Sequence, residues 1–159
     1  MTKQSLGASG SVLSGLSILL GGKSTFGKTE DVKLPDWEFE VVNDESTGLV
    51  KTPKISLDVV DLAPQYISAM QNGDTFIIKG NIRENGKDVP YIATVSCQLH
   101  KVGTELKEGD SVKRSLEGRV NTFEETINGQ QTVQYNREAL VLILGGNGIN
   151  LLADFAQNV

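Results

Sequence analysis

Apolar and polar positions alternate with a period of two along most of this chain, most cleanly between residues 76 and 99. Phe76, Ile78 and Ile82 stand against Ile77, Lys79 and Asn81. After Arg83-Glu84-Asn85-Gly86-Lys87-Asp88 the alternation resumes through Tyr91, Ala93, Val95, Cys97 and Leu99. A period of two marks a strand with one buried face. Asn85-Gly86 are the two residues that most easily take the positive φ of a tight hairpin turn. The segment therefore predicts a β-hairpin. On its second strand Thr94, Ser96, Gln98 and His100 form a face that is polar throughout, so one side serves a core and the other faces water or a partner.

The pattern extends in both directions. Residues 1–11 are rich in Ser and Gly without any period, which predicts an arm that orders only when docked. A strand is expected over residues 12–20, a turn over 21–25, and a short segment to Leu34, where Pro35 stops further pairing. Trp37, Phe39 and Val41 alternate with Glu38 and Glu40, predicting a strand with an aromatic and an acidic face. Residues 43–54 are polar and include Gly48 and Pro53. Unstructured connections of that length are uncommon in compact domains and usually functional, so a projecting loop is expected there. Ile55, Leu57 and Val59 then alternate with Ser56 and Asp58.

Pro64 opens the one predicted helix, residues 64–72, with Ile67 and Met70 on one face, Tyr66 beside them and Gly73 at its end. Residues 102–111 are expected as a polar loop. Val112, Leu116 and Val120 against Lys113, Glu117 and Arg119 predict a long strand, and Asn128-Gly129 is a second hairpin signal. The return strand is expected over 132–144. Its last six positions, 139–144, are wholly apolar, which implies cover on both sides. Gly145-Gly146-Asn147-Gly148 then releases residues 149–159 as a tail of one or two helical turns. The sum is about seven or eight strands and one helix, a mainly β antiparallel barrel or sandwich with the helix capping one opening. The expected division is an arm over 1–11, one β-domain over 12–148 and a tail over 149–159.

Composition narrows the function. A chain of 159 residues is one domain's worth, able to bury roughly two thirds of its unfolded surface. Cys97 is its one cysteine, so an intrachain disulfide framework is excluded and a reducing place of synthesis is expected. With 20 acidic against 15 basic side chains, the chain lacks the basic surplus of a domain that grips nucleic acid. Ser14, Gly15 and Ser17 interrupt the early apolar residues, and no A-x-A site follows, so a signal peptide is not expected. No apolar run approaches the ~20 residues of a membrane helix.

Candidate catalytic chemistry is thin. Gly22-Lys23-Ser24-Thr25 looks like the end of a phosphate-binding loop, but the glycine needed five residues earlier is Ser17, and no strand-loop-helix surrounds it. His100 is the one histidine, which leaves little for metal clusters or triads, so a solvated or hydrogen-bonded strand histidine is expected. Cys97 lies on the apolar side of its strand and reads as a core residue. Glu38/Glu40 and Glu124/Glu125 read as solvated faces rather than a glycosidase pair. Trp37 and Tyr91 fall on apolar periods and are expected to pack in the core. No catalytic site is read from these residues.

Several segments in order carry a family resemblance. Ser17-Ile-Leu-Leu-Gly-Gly-Lys-Ser-Thr-Phe-Gly27 followed by Val32-Lys33-Leu34-Pro35 resembles the opening of the major tail tube proteins of contractile-tailed, P2-like bacteriophages. The helix, Gly80-Asn-Ile-Arg83, Val89-Pro90, Lys101-Val102-Gly103, Lys107-Glu-Gly-Asp110 and Asn128-Gly129 follow in that family's order. The match spans residues 13–150, and the segments outside it depart from the pattern. The resemblance implies a virion protein, present in the host cytoplasm before assembly, with neither catalysis nor a cofactor. Its copies would form hexameric rings stacked into a hollow tube inside a contractile sheath, through which DNA is ejected without specific binding. Sheath, tape measure and baseplate or terminator proteins would be its partners. Pyocin-like and type VI secretion-like tubes resemble the same fold. From a different class, a monomeric small-ligand-binding β-barrel would need a dry apolar cavity.

If each of six subunits lends four strands, a barrel of roughly 24 strands closes with a backbone diameter of about 40 to 45 Å, wide enough for duplex DNA. Its lumen is expected to be lined by Glu38, Glu40, Ser56, Asp58, Thr94, Ser96, Gln98, and Arg119 or Asn121. An acidic or neutral wall repels phosphate, whereas a basic one holds it by counterion release. Contacts between subunits are expected at Asn43, Asp44, Glu45, Ser46, Thr47, Gly48, Leu49, Val50 and Lys51, and at Leu151, Leu152 and Phe155.

Overall fold

The computed structural model describes residues 11–20, 23–24, 29–43, 45–60, 62, 64–145 and 149–150. Its strands are β1 (Val12–Leu20), β2 (Lys23–Ser24), β3 (Thr29–Lys33), β4 (Phe39–Val42), β5 (Glu45–Val50) and β6 (Lys54–Val60). Helix α1 (Pro64–Asn72) follows, then β7 (Thr75–Glu84), β8 (Lys87–Glu105), β9 (Lys113–Ile127), β10 (Gln130–Asn136), β11 (Val141–Leu144) and β12 (Ile149–Asn150). The protein is mainly β and antiparallel with one short helix. Twelve strands rather than seven or eight appear among the described residues.

Ten of them form one sheet in the order β12-β11-β10-β9-β8-β7-β1-β2, with β6 on β9 and β3 on β6. β9 is the branch point. Along one edge it pairs with β8; along the other, its residues 113–119 pair with β6 and its residues 122–127 with β10. The central hairpin forms as its alternation requires, with Asn85 at φ 53 and Gly86 at φ 77. The second turn matches it, with Asn128 at φ 53 and Gly129 at φ 79. These are the two consecutive positive-φ residues that fit a two-residue loop to the right-handed twist of its strands.

All the core residues lie on one side of the curled sheet. Ile18, Ile55, Leu57, Phe76, Ile78, Ala93, Val95, Cys97, Leu116, Val120 and Phe123 are buried, and so is Tyr91. Helix α1 adds Tyr66, Ala69 and Met70, and it stops where Gly73 turns to φ 72 with Asp74 N donating to Ala69 O at 2.8 Å. Trp37 packs on the same core, 5.5 Å from the Phe123 ring and 5.1 Å from the Tyr135 ring.

Five expectations need correction. Residues 43–54 are not a loop, because β5 pairs with β4 as a separate two-stranded sheet with Val42 opposite Glu45. A strand paired to one neighbour needs only backbone partners, so the polar run Glu45-Ser46-Thr47 hid it from a pattern of apolar positions. Trp37 precedes β4 rather than lying in it. The expected loop at 102–111 starts only after Glu105. Register shifts at Ser96/Cys97 and Leu99/Lys101 move the alternation out of phase there, as bulges do. The apolar run 139–144 is also no continuous strand. Ala139 N donates to the Asn136 carboxamide at 3.0 Å, Leu140 takes φ 57, and only residues from Val141 onward pair. Finally, Ile149–Asn150 is a strand on β11 rather than a helical turn; residues 151–159 of the expected tail lie outside the described residues.

Candidate functional site

The side of the sheet away from the core carries a polar field across β6, β9 and β8. Antiparallel register builds it: Asp58 lies opposite Ser115, Ser56 opposite Glu117 and Lys54 opposite Arg119. On the next strand Gln98 lies opposite Arg119, Ser96 opposite Thr122 and Thr94 opposite Glu124. β7 continues the rows, with Ile77 beside Thr94 and Thr75 beside Ser96. Because side chains alternate across each strand, the buried Leu57, Leu116, Val95 and Cys97 force these residues to the opposite face. Ser56, Asp58, Thr94, Ser96, Gln98, Arg119 and Asn121 thus stand on one face of the sheet.

The field is largely self-satisfied. Ser115 Oγ donates to Asp58 Oδ1 at 2.8 Å, and the Ser96 and Thr122 hydroxyls meet at 2.6 Å. His100 Nε2 lies 2.6 Å from Glu117 Oε1, and Ser56 Oγ donates to Glu117 Oε2 at 3.4 Å. The hydrogen bond from His100 holds the Glu117 carboxyl below the usual carboxylate range, with the charges of His100 and Lys54 and the Ser56 hydroxyl adding to it against the opposing effect of burial. His100 is therefore the hydrogen-bonded strand histidine that the sequence implied. Gln98 Nε2 ties the face to the helix end by donating to Gln71 O at 3.0 Å.

Two candidates lie apart from this sheet. Glu38 and Glu40 belong to the β4–β5 hairpin segment, which does not pair with the large sheet. Glu38 nevertheless borders a hollow of about 240 Å³ that also includes Ser56 and Glu117, and it is neutralised by Lys51 at 3.3 Å. Glu40 is exposed on the hairpin. Glu124 and Glu125 face opposite sides of β9. Glu125 accepts from Tyr91 at 2.7 Å and from Thr132 at 2.7 Å, while Glu124 stands exposed in the row of Thr94 and Gln134. Burial first, and then the Glu125 carboxylate, push the Tyr91 hydroxyl upward. Burial likewise pushes the Cys97 thiol up to about 12, so it is an inert core group. Among the described residues no group of three His, Cys, Asp or Glu side chains stands together as a metal site.

The structure adds residues that sequence reasoning missed. Lys54 joins the face opposite Arg119; Glu117 and His100, already read as polar positions of their strands, join it as a bonded pair. Asn136 and Arg137 join Arg119 and Asn121 around a polar hollow of about 550 Å³. Their approach depends on the turn after β10, where Arg137 N donates to Asn121 O at 2.9 Å, and no short-range pattern signals it. Of the expected contact residues, Asn43 lies in the β4–β5 turn at φ 53, the backbone of residues 45–50 forms β5, and Lys51 reaches Glu38. Asp44, Leu151, Leu152 and Phe155 lie outside the described residues.

Among the described residues, then, the chain is a two-sided sheet whose polar side carries no constellation for nucleophilic chemistry. The family model for phage tail tube protein FII matches residues 11–159. The chain belongs to that family. This tube protein is a structural component of a virion and not an enzyme, in a family whose members build tubes. No curated protein matches it in sequence. Among solved structures it is similar to Hcp1 from Flavobacterium johnsoniae, at 9% identity over 73% of this chain and 96% of that one with a TM-score of 0.49. It is also similar to Hcp1 from Salmonella typhimurium, at 13% identity over 80% and 97% of the two chains with a TM-score of 0.45.

Proposed function

We propose that this tube protein forms hexameric rings, stacked into a hollow tube within a contractile sheath, and that its polar face is the wall along which DNA is ejected. The observation that carries this reading is the contiguous polar field on β6, β9, β8 and β7. Four neighbouring strands per copy, repeated six times, supply the roughly 24 strands of a closed wall wide enough for a duplex. A face of hydroxyls, carboxamides and neutralised carboxylates gives DNA little to hold.

Unfinished edges support the assembly. β2 covers β1 only at Leu19 and Leu20, β3 pairs only with β6, and β12 ends the other side of the sheet. Such edges are templates for another chain, and joining unlike edges of successive copies closes a ring. Exposed apolar side chains stand on the β1 edge, Val12 at 65% and Leu13 at 51%, and on the separate β4–β5 hairpin, Val41 at 60%. We assign subunit contacts to these edges, to the β4–β5 hairpin and to residues 151–159. Sheath, tape measure and baseplate or terminator proteins complete the particle, and free copies occupy the host cytoplasm before assembly.

Negative-stain microscopy of the purified protein at rising concentration tests the reading. Rings or hollow rods are expected; a monomer that persists at every concentration refutes it.

A further inference from the structure

The polar face is not uniform. Three of its carboxylates are answered, Glu38 by Lys51, Glu117 by His100 and Asp58 by Ser115, while Glu124 stands exposed. Two of its cations are not answered. Among the described residues, neither Arg119 nor Arg137 has a carboxylate partner. Both border the hollow of about 550 Å³ together with Asn121 and Asn136. The Arg119 Nε is buried without an acceptor, and its Nη2 reaches only the Asn121 carboxamide oxygen, at 3.4 Å.

A buried donor without an acceptor is costly and calls for a partner. Two guanidinium forks and the amide hydrogens of two Asn side chains offer donors in excess, which suits an oxyanion with several acceptor oxygens. Glu138 at the rim keeps the hollow from being strongly cationic, so the hold is weak and reversible. We propose that the Arg119–Arg137 hollow is an oxyanion site whose ligand is a phosphodiester of the passing DNA, one shallow foothold per subunit on an otherwise non-adhesive wall. Naming the ligand as DNA phosphate rests on the lumenal reading of this face; the existence of the oxyanion site does not.

The test is an NMR titration of the purified subunit, kept below its assembly concentration, with inorganic phosphate. The Arg119 Nε–Hε signal and the side-chain amides of Asn121 and Asn136 are expected to shift saturably. Arg137→Gln, in an exposed turn where folding is not at stake, should weaken the apparent Kd about tenfold, Arg119→Gln should abolish binding, and Arg83→Gln on the exposed end of β7 should do neither. Absence of saturation, or equal shifts with chloride at the same ionic strength, overturns the site. Acetate binding as tightly as phosphate overturns the phosphate assignment in favour of a neighbour's carboxylate. Orientation is read separately by Asn121→Cys in assembled tubes, since native Cys97 is buried. Protection from a thiol reagent too large to enter the tube supports DNA as the ligand. Full labelling overturns that source and the lumenal reading together, while the phosphate titration still reports on the site.

Discussion

His100 Nε2 lies 2.6 Å from Glu117 Oε1 across the β8–β9 ladder, joining two strands on the face away from the core. The contact lowers the Glu117 pKa. A carboxyl whose folded pKa is depressed contributes stability that is present above its unfolded pKa and is lost as pH falls through the folded one. His100→Ala should therefore return the Glu117 carboxyl toward the ordinary range, and acid unfolding should begin at a higher pH than in the parent. Carboxyl NMR titration checks the first statement and circular dichroism against pH the second.

At Gly118 the sheet comes up against Met70 of helix α1. A Cβ there would meet Gln98 O at 3.0 Å, Met70 Cε at 3.0 Å and Cys97 Sγ at 3.1 Å. The Met70 methyl can swing away, but the backbone oxygen cannot. Gly118→Ala should cost about 1–3 kcal/mol by overpacking and lower Tm by several degrees, measured by thermal unfolding. Gly118→Ala with Met70→Ala should not recover the loss.

Leu140 holds φ 57 with its side chain 54% exposed. A branched aliphatic residue in the left-handed region costs roughly 1–2 kcal/mol that Asn largely avoids. Leu140→Asn should raise stability by about 1 kcal/mol, seen as a higher denaturation midpoint in urea with an unchanged slope.

These sites show what the chain discloses before it folds. Both hairpin turns, the helix ends and the two sides of β8 follow from local rules: Asn-Gly pairs for positive φ, Pro at the helix start, Gly at its end, and alternation of period two. Asn128 and Gly129 need no distant neighbour to adopt their turn. The polar face was legible for the same reason, since Ser56, Asp58, Thr94 and Ser96 inherit their direction from buried neighbours in sequence. What escaped depends on partners far along the chain. β5 is held by backbone pairing to β4, which polar side chains neither favour nor reveal. Bulges at Ser96/Cys97 and Leu99/Lys101 shift the phase of β8 and hid its last residues. Leu140 broke an apolar run that pattern alone extended, and Arg137 entered the face only through its backbone bond to Asn121.

On the proposed lumenal reading, charge on this face sets how freely DNA moves. Glu38→Lys and Asp58→Lys together replace two anions with two cations in each copy, adding phosphate contacts by counterion release. Genome ejection should slow, more so at low salt, while tube length stays normal. Ejection kinetics from purified virions, with tube lengths from electron micrographs, measure both; unchanged kinetics would remove the electrostatic argument.

Val41 tests the assembly surface without touching the core. It is 60% exposed on β4, whereas its neighbour Phe39 packs against the core. Val41→Glu should leave the unfolding free energy within about 0.5 kcal/mol of the parent, as surface substitutions usually do, yet block polymerisation. Sedimentation at concentrations where the parent forms tubes reads the difference.

The most direct measurement is a helical reconstruction of assembled tubes by cryo-electron microscopy. It should place Ser56, Thr94, Gln98 and Arg119 on the inner wall, with β1 and β3 edges engaged by neighbouring copies. A tube with that polar face turned toward the outside, or sealed between subunits, would contradict the account.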